Sequence, residues 1–264
     1  MRIIFCSKAY DPIAKKCIEK ILTLSNVEIV CAVLAGHINK NQSKWDLLCG
    51  NGFVWFFQKT VRLAYLRFRC EFRRFDWRYL DRILGSPLSV FEIALKHHLP
   101  ILNYVDLDDD RTRITLLESN PDLLITCTFP LILKKNVLEI PKFGGINIHP
   151  SLLPRYRGPS PIFWVLFNRE RYTGVTIHKL NEKCDEGDIL FQERIEINSH
   201  DDLDSLTKKV ASISADLLEY VFTEERILTM SPLPQNPWEA SYQARPNVTQ
   251  MREIRVRSCN SHKA

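Results

Sequence analysis

Asn147 and His149 stand two residues apart in the stretch GGINIHPSLLPRYRG, residues 144–158. An amide both donates and accepts hydrogen bonds, and an imidazole titrates close to neutral pH. Strand alternation puts Ile146 and Ile148 on one face and Asn147 and His149 on the other. Two polar side chains on one face of a buried strand carry a desolvation cost unless something satisfies them. A second group lies in GVTIHKLNEKCDEGDILFQ, residues 174–192. There His178 closes an apolar strand, and Asp185 sits in a loop two positions before the turn residue Gly187. Alone, DEGD describes a solvated acidic turn. It gains weight only in combination with the first stretch.

The elements that must position these groups can be read from periodicity. Apolar strand patterns fall at 2–5, 27–35, 100–105, 122–128, 144–150, 174–180 and 188–197, and helical patterns at 12–24, 89–99, 111–120, 158–168 and 201–224, with a short helical turn at 136–141. Pro12 suits a first helical turn, and the acids at 201–204 suit a helix start. The alternation of strand and helix predicts an α/β fold. It would be an open, mostly parallel, Rossmann-like sheet with helices on both faces. Ligands on such sheets bind beyond the carboxyl ends of the strands, which is where Asn147 and His149 fall. The turn after the first strand is CSKAYDP, which carries neither a GxGxxG fingerprint nor a GxxxxGK[ST] loop. The expected layout is a catalytic domain over 1–200, interrupted at about 41–87 by a basic and aromatic helical insertion, then a helix and Pro-containing tail over 201–264.

Charge and cysteines narrow the classes. The net charge of +5 is local: Lys59–Arg82 holds eight Lys or Arg against three acids, and the rest is balanced. The eight cysteines are scattered without a CxxC, which favours reduced thiols over a disulfide frame, and no cluster suggests a metal site. No apolar run reaches the roughly 20 residues of a membrane span. The first residues do not read as a signal peptide, so the expected location is cytoplasmic.

The stretch NIHPSLLPRYRGPSP, followed from Thr173 by TGVTIHKLNEKCDEGDILFQ, resembles the signature of the folate-dependent formyltransferase superfamily. That superfamily includes methionyl-tRNA formyltransferase, glycinamide ribonucleotide formyltransferase and the amino-sugar N-formyltransferases. Its pattern is met by Asn147, His149, Ser151, Leu152, Leu153, Pro154, His178, Asp185 and Gly187. The resemblance is close over about 120–224, looser over 1–40 and 88–119, and does not extend to 41–87. It implies a catalytic triad of Asn147, His149 and Asp185 and a 10-formyltetrahydrofolate co-substrate, with no metal. An attacking primary amine would generate an oxyanion, which the amide and an imidazolium can stabilise. The implied folate site lies between CTFPLIL (127–133) and NEKCDEGD (181–188). That assigns Phe129, Leu131, Ile132, Leu133, Cys184 and Asp185 to the cofactor. Ser151, Arg155, Arg157 and His178 are then candidates for holding the acceptor.

The acceptor implied by analogy is a small-molecule amine, an amino sugar and commonly a nucleotide-linked one. The chain beyond residue 224 is short for the tRNA-binding domain of methionyl-tRNA formyltransferases, and CSKAYDP lacks the phosphate loop expected for glycinamide ribonucleotide. Alternatives are a methionyl-tRNA formyltransferase-like enzyme without that domain, a 10-formyltetrahydrofolate hydrolase, or a non-enzymatic folate- or nucleic-acid-binding protein. Within the insertion, Val61, Tyr65, Phe68, Phe72, Phe75 and Tyr79 make a stripe at helical spacing. The segment 53–84 therefore reads as a packed helix, a homodimerising or substrate-covering element, or a helix contacting anionic lipid. The regular stripe turns its rings to one packed face, so nucleic acid is not an expected partner.

Overall fold

Strand β1 (Arg2–Lys8) is an interior strand of a seven-stranded sheet. The computed structural model describes residues 1–35, 89–103, 107, 109–223 and 226–261, the last seven of these as backbone alone. The segments 41–87 and 53–84 expected to form the insertion lie outside the described residues.

The strands are β1, β2 (Glu28–Ala35), β3 (Ile101–Asn103), β4 (Leu123–Cys127), β5 (Gly145–His149), β6 (Tyr172–Lys179) and β7 (Ile189–Glu196). Their order in the sheet is β3-β2-β1-β4-β5-β6-β7. The pairs from β3 to β5 are parallel, and β5–β6 and β6–β7 are antiparallel, so the sheet is mostly parallel as the sequence predicts. The two apolar faces of β1 show why both sides are covered. Ile3 and Phe5 join a core with α1 (Pro12–Ile21), α2 (Val90–Lys96), α5 (Pro161–Phe167) and α6 (Leu203–Phe222). Ile4 and Cys6 join a smaller core with α3 (Asp110–Glu118) and α4 (Lys135–Leu138). Strand β4 is buried at all five positions, as a strand covered on both faces must be.

Local signals set the helix ends. Asp11 accepts hydrogen bonds from the Ile13 and Ala14 amides, and Pro12 occupies the first turn of α1. The predicted 158–168 helix starts only at Pro161, because Gly158–Ser160 form a turn first. Asp202 and Ser205 close α6 with a reciprocal capping box. Leu206, Val210, Leu218 and Phe222 of α6 are buried in the same core as β1 and α1, so the packing runs without a break past residue 200. Two further helices follow, α7 (Arg226–Thr229) and α8 (Val248–Ser261).

Chain order reverses direction at β1, which has β2 on one side and β4 on the other. The carboxyl ends of β1, β4 and β5 thus frame a crevice of the kind that binds ligands in open α/β sheets.

Candidate active site

Each polar group of the site is delivered by a different piece of this frame. Asn147 sits on β5 with His149 two positions on, at the end of the strand. The antiparallel register sets His178 of β6 directly opposite Asn147. Asp185 arrives from the loop between β6 and β7, with a backbone φ of 54°. Asn and Asp tolerate this left-handed conformation better than most residues.

The four side chains meet. Asp185 Oδ1 lies 3.4 Å from His149 Nδ1, 3.6 Å from His178 Nε2 and 3.2 Å from the Asn147 amide nitrogen, which donates to it. The backbone N–H of Gly158 donates to Asp185 Oδ2 at 2.8 Å. Asn147 has a single consistent orientation. Its Oδ1 accepts from the Thr126 hydroxyl at 2.7 Å, and its Nδ2 lies 3.1 Å from His178 Nε2. His178 Nδ1 is 2.8 Å from the Lys179 carbonyl, which can only accept, so the Nε2 of a neutral His178 accepts from Asn147. By the same logic His149 Nε2 donates to the Tyr156 carbonyl at 2.9 Å, leaving Nδ1 turned toward Asp185.

Burial and charge fix the protonation states. Burial pulls the His149 pKa below its ordinary value, opposed by the Asp185 carboxylate and assisted by His178. Burial alone would raise Asp185, but His149 and the hydrogen bond from the Gly158 amide outweigh it and hold the carboxyl well below the usual range. The pair at neutral pH is an ionised Asp185 beside a neutral His149. The Nδ1 lone pair of His149 can therefore take up a proton, and the carboxylate 3.4 Å away stabilises the imidazolium that results. Cys184, whose thiol lies 3.5 Å from Asp185 Oδ2, is pushed up to about 12 by burial and by that carboxylate, so it stays a neutral thiol.

Asn147, His149 and Asp185 line a cavity of about 760 Å³, within the usual range for small-molecule sites. Phe129, Leu131, Ile132, Leu133 and Cys184 line it too. Leu131 and Ile132 leave 45% and 56% of their surface open, an apolar rim that a bound ring could cover. Three expected acceptor residues are placed elsewhere. Ser151 is fully buried and donates to the Arg155 carbonyl, bracing its own turn. Arg155 binds Glu170 at 2.6 Å and borders a separate groove. Arg157 is engaged by Gln235 and by Glu186. Local partners hold all three, and none of Ser151, Arg155 and Arg157 stands on the cavity wall. His178 stands behind Asn147 and Asp185 rather than on the cavity wall.

The cavity wall also includes residues that no motif singled out, among them Lys8, Asp11, Tyr242 and Arg245. Thr126 and Gly158 belong to the wall as well. Backbone conformation is the signal that finds this region without a motif. Thr128 (φ 53°), Tyr156 (φ 61°) and Asp185 (φ 54°) all adopt left-handed conformations around the site. For β-branched and bulky residues this costs on the order of 1–3 kcal/mol, and such strain clusters at functional sites. Tyr156 uses it to aim its carbonyl at His149.

The formyl transferase family model matches residues 92–221, the span that includes every one of these site groups except Lys8, Asp11 and the 231–247 segment. The chain carries a formyltransferase domain. Among curated relatives, methionyl-tRNA formyltransferase of Ehrlichia canis is 40% identical over 161 residues, 61% of this chain and 52% of the relative. The enzyme of the same name from Caldicellulosiruptor saccharolyticus is 40% identical over 158 residues, covering 60% and 50%. The chain thus spans about half the length of the curated relatives it matches. Among solved structures, an N-formyltransferase of Helicobacter canadensis in complex with folinic acid and dTDP-3-aminofucose has a TM-score of 0.59 at 18% identity, covering 92% of this chain and 70% of that one. Phosphoribosylglycinamide formyltransferase of Bacillus halodurans has a TM-score of 0.58 at 19% identity, covering 87% and 96%. These structures share the fold of this formyltransferase domain. Among the described residues, no group of three or more His, Cys, Asp or Glu is placed to hold a metal ion, and no helix is long and apolar enough to cross a membrane.

Proposed function

We propose that this protein transfers a formyl group from 10-formyltetrahydrofolate to a primary amine of a small metabolite, an amino sugar that carries an anionic, nucleotide-linked group. The observation that carries the reading is the convergence of Asn147, His149 and Asp185 on one cavity, with an ionised carboxylate 3.4 Å from an uncharged imidazole nitrogen. The apolar rim of Leu131 and Ile132, with Phe129 and Leu133 behind it, suits a flat heteroaromatic ring. Folate would supply the formyl carbon and the leaving nitrogen.

The chain's own groups then have distinct tasks. Asn147, whose two amide hydrogens go to Asp185 and His178 in the resting site, turns one of them to negative charge developing on the carbonyl oxygen. His149 Nδ1 accepts the proton that the attacking amine must lose, and Asp185 stabilises the resulting cation. The imidazolium can return that proton to the departing nitrogen. Thr126 and His178 hold the Asn147 amide in the orientation this needs. Lys8 and Arg245 add positive charge to the wall, which favours an acceptor bearing phosphate.

A second acceptor class is supported by the 40% identity to methionyl-tRNA formyltransferases over 161 residues. Tetrahydrofolate production from 10-formyltetrahydrofolate, followed with nucleotide-linked amino sugars, with methionyl-tRNA and with no acceptor, separates the readings. Turnover with an amino sugar supports the proposal. Turnover only with methionyl-tRNA reassigns the acceptor, and equal turnover without acceptor makes the protein a hydrolase.

A further inference from the structure

Residues 231–247 run beside the site as a strap that adds Tyr242 and Arg245 to the cavity wall, and hydrogen bonds tie it to the Asp185 loop and the start of β7, to the 151–158 loop that follows His149, and to α5. Leu233 exchanges both backbone hydrogen bonds with Ile189, each 2.8 Å, which anchors the strap beside the Asp185 loop. Farther along, the Ser241 carbonyl accepts from the Arg157 N–H at 2.9 Å, its hydroxyl oxygen accepts from the Tyr156 N–H at 2.9 Å, and the Gln243 N–H donates to the Arg157 carbonyl at 2.9 Å. The Trp164 indole donates to the Ala244 carbonyl at 2.8 Å.

Between these anchors sits Gln235, with its amide fully used. One Nε2 hydrogen goes to the carbonyl of Asp185 itself at 2.8 Å, the other to the carbonyl of Gly187 at 2.7 Å. Its Oε1 accepts from Arg157 Nε at 3.1 Å and Nη2 at 2.7 Å. A single side chain thus ties the left-handed backbone of Asp185 to the loop whose Tyr156 carbonyl holds His149. Without these donors the two carbonyls would lose their partners in a half-buried turn. Gly187 cannot brace the turn with a side chain, because a Cβ there would collide with the Lys179 carbonyl.

We propose that Gln235 is a positioning residue: by donating to the Asp185 and Gly187 carbonyls it holds the Asp185 carboxylate against His149. The role of Asp185 in turnover rests on the formyl-transfer reading, whereas the placement of the pair does not. The groups facing His149 are Asp185 from the β6–β7 loop, with the neutral Cys184 beside it, and His178 from β6, whose ring centre is 6.4 Å away. From the 151–158 loop it meets the Tyr156 carbonyl, which carries no charge.

Two variants separate the two arms of the amide. Gln235→Ala removes all its contacts. Gln235→Glu keeps an acceptor for Arg157 but presents only oxygens to the two carbonyls. Histidine titrations by ¹⁵N NMR and kcat as a function of pH are measured for both variants and the wild type, with thermal melting to establish folding. In both variants the His149 titration should move down by about one pH unit, as expected for loss of a close carboxylate. The kcat should fall tenfold or more, with its acid limb displaced in the same direction. An unchanged or raised His149 titration, or wild-type kcat in the Glu variant, overturns the proposal. A wild type that transfers formyl to no amine sinks the functional reading instead, and the histidine titration still decides whether Gln235 holds the pair.

Discussion

At the scale of single residues, the site depends on an unequal division of labour between two groups 3.4 Å apart. His149 is kept neutral by burial and Asp185 is kept ionised by its donors. His149→Ala removes the proton acceptor, and Asp185→Ala removes the charge that stabilises its protonated form. Each should lower kcat by about a thousandfold while leaving the melting temperature within a few degrees. Tetrahydrofolate formation and a thermal melt check this, and near-wild-type turnover in either variant would refute the assigned roles. The pH dependence of stability has a defined sign. Folded His149 resists protonation, so as pH falls below about 6.5 the unfolded chain takes up a proton that the folded one refuses, and stability drops until the lowered folded pKa is passed. The depressed Asp185 contributes stability that is complete above about pH 4 and is lost as pH falls through its folded value. Melting curves between pH 7 and 3 should show the first loss and the onset of the second, and His149→Gln should remove the first and weaken the second, because His149 is one of the groups that lower Asp185.

Elements bring these residues together through register and through tight turns. The antiparallel pairing of β5 with β6 places His178 opposite Asn147, and a slip by one residue would send His178 to the other face. The 151–158 loop ends at Gly158, where φ is 105° and the Gln243 carbonyl occupies the space that a Cβ would need. Gly158→Ala would force the strap away and strain the backbone, at a cost of about 2 kcal/mol or more. It would also disturb the N–H that donates to Asp185 Oδ2. Lower urea midpoints together with reduced kcat are the expected result, and a variant that matches wild type in both would contradict it.

For the whole molecule, one core joins the first elements of the chain to the end of the family-matched region. Leu218 and Phe222 near the end of α6 are buried in the cluster that contains Ile3 and Phe5 of β1 and Ile18 of α1. Leu218→Ala opens a cavity in that cluster and should cost about 2–5 kcal/mol. Because the core is shared, near-UV and far-UV circular dichroism should shift together in a single transition. Separate transitions would indicate that α6 unfolds on its own.

Local sequence determined much of this. Period-two and helical patterns gave the strands, the helices and the mostly parallel sheet, because each reflects burial of one face or both. The Asn147–His149 alternation and the motif through Asp185 and Gly187 identified the central groups, because their types and spacing lie within two short segments. Tertiary structure alone decided their surroundings. Arg155 and Arg157 follow the strand end and look like anion ligands in sequence, yet Glu170, Glu186 and Gln235 engage them from distant segments. Thr126 and Gln235 carry no catalytic signature, and they reach Asn147 and the Asp185 carbonyl across 21 and 50 residues of chain. Hydrogen-bond donors act over about 3 Å in space, so separation along the chain hides these partners until the sheet order and the path of the strap bring them together.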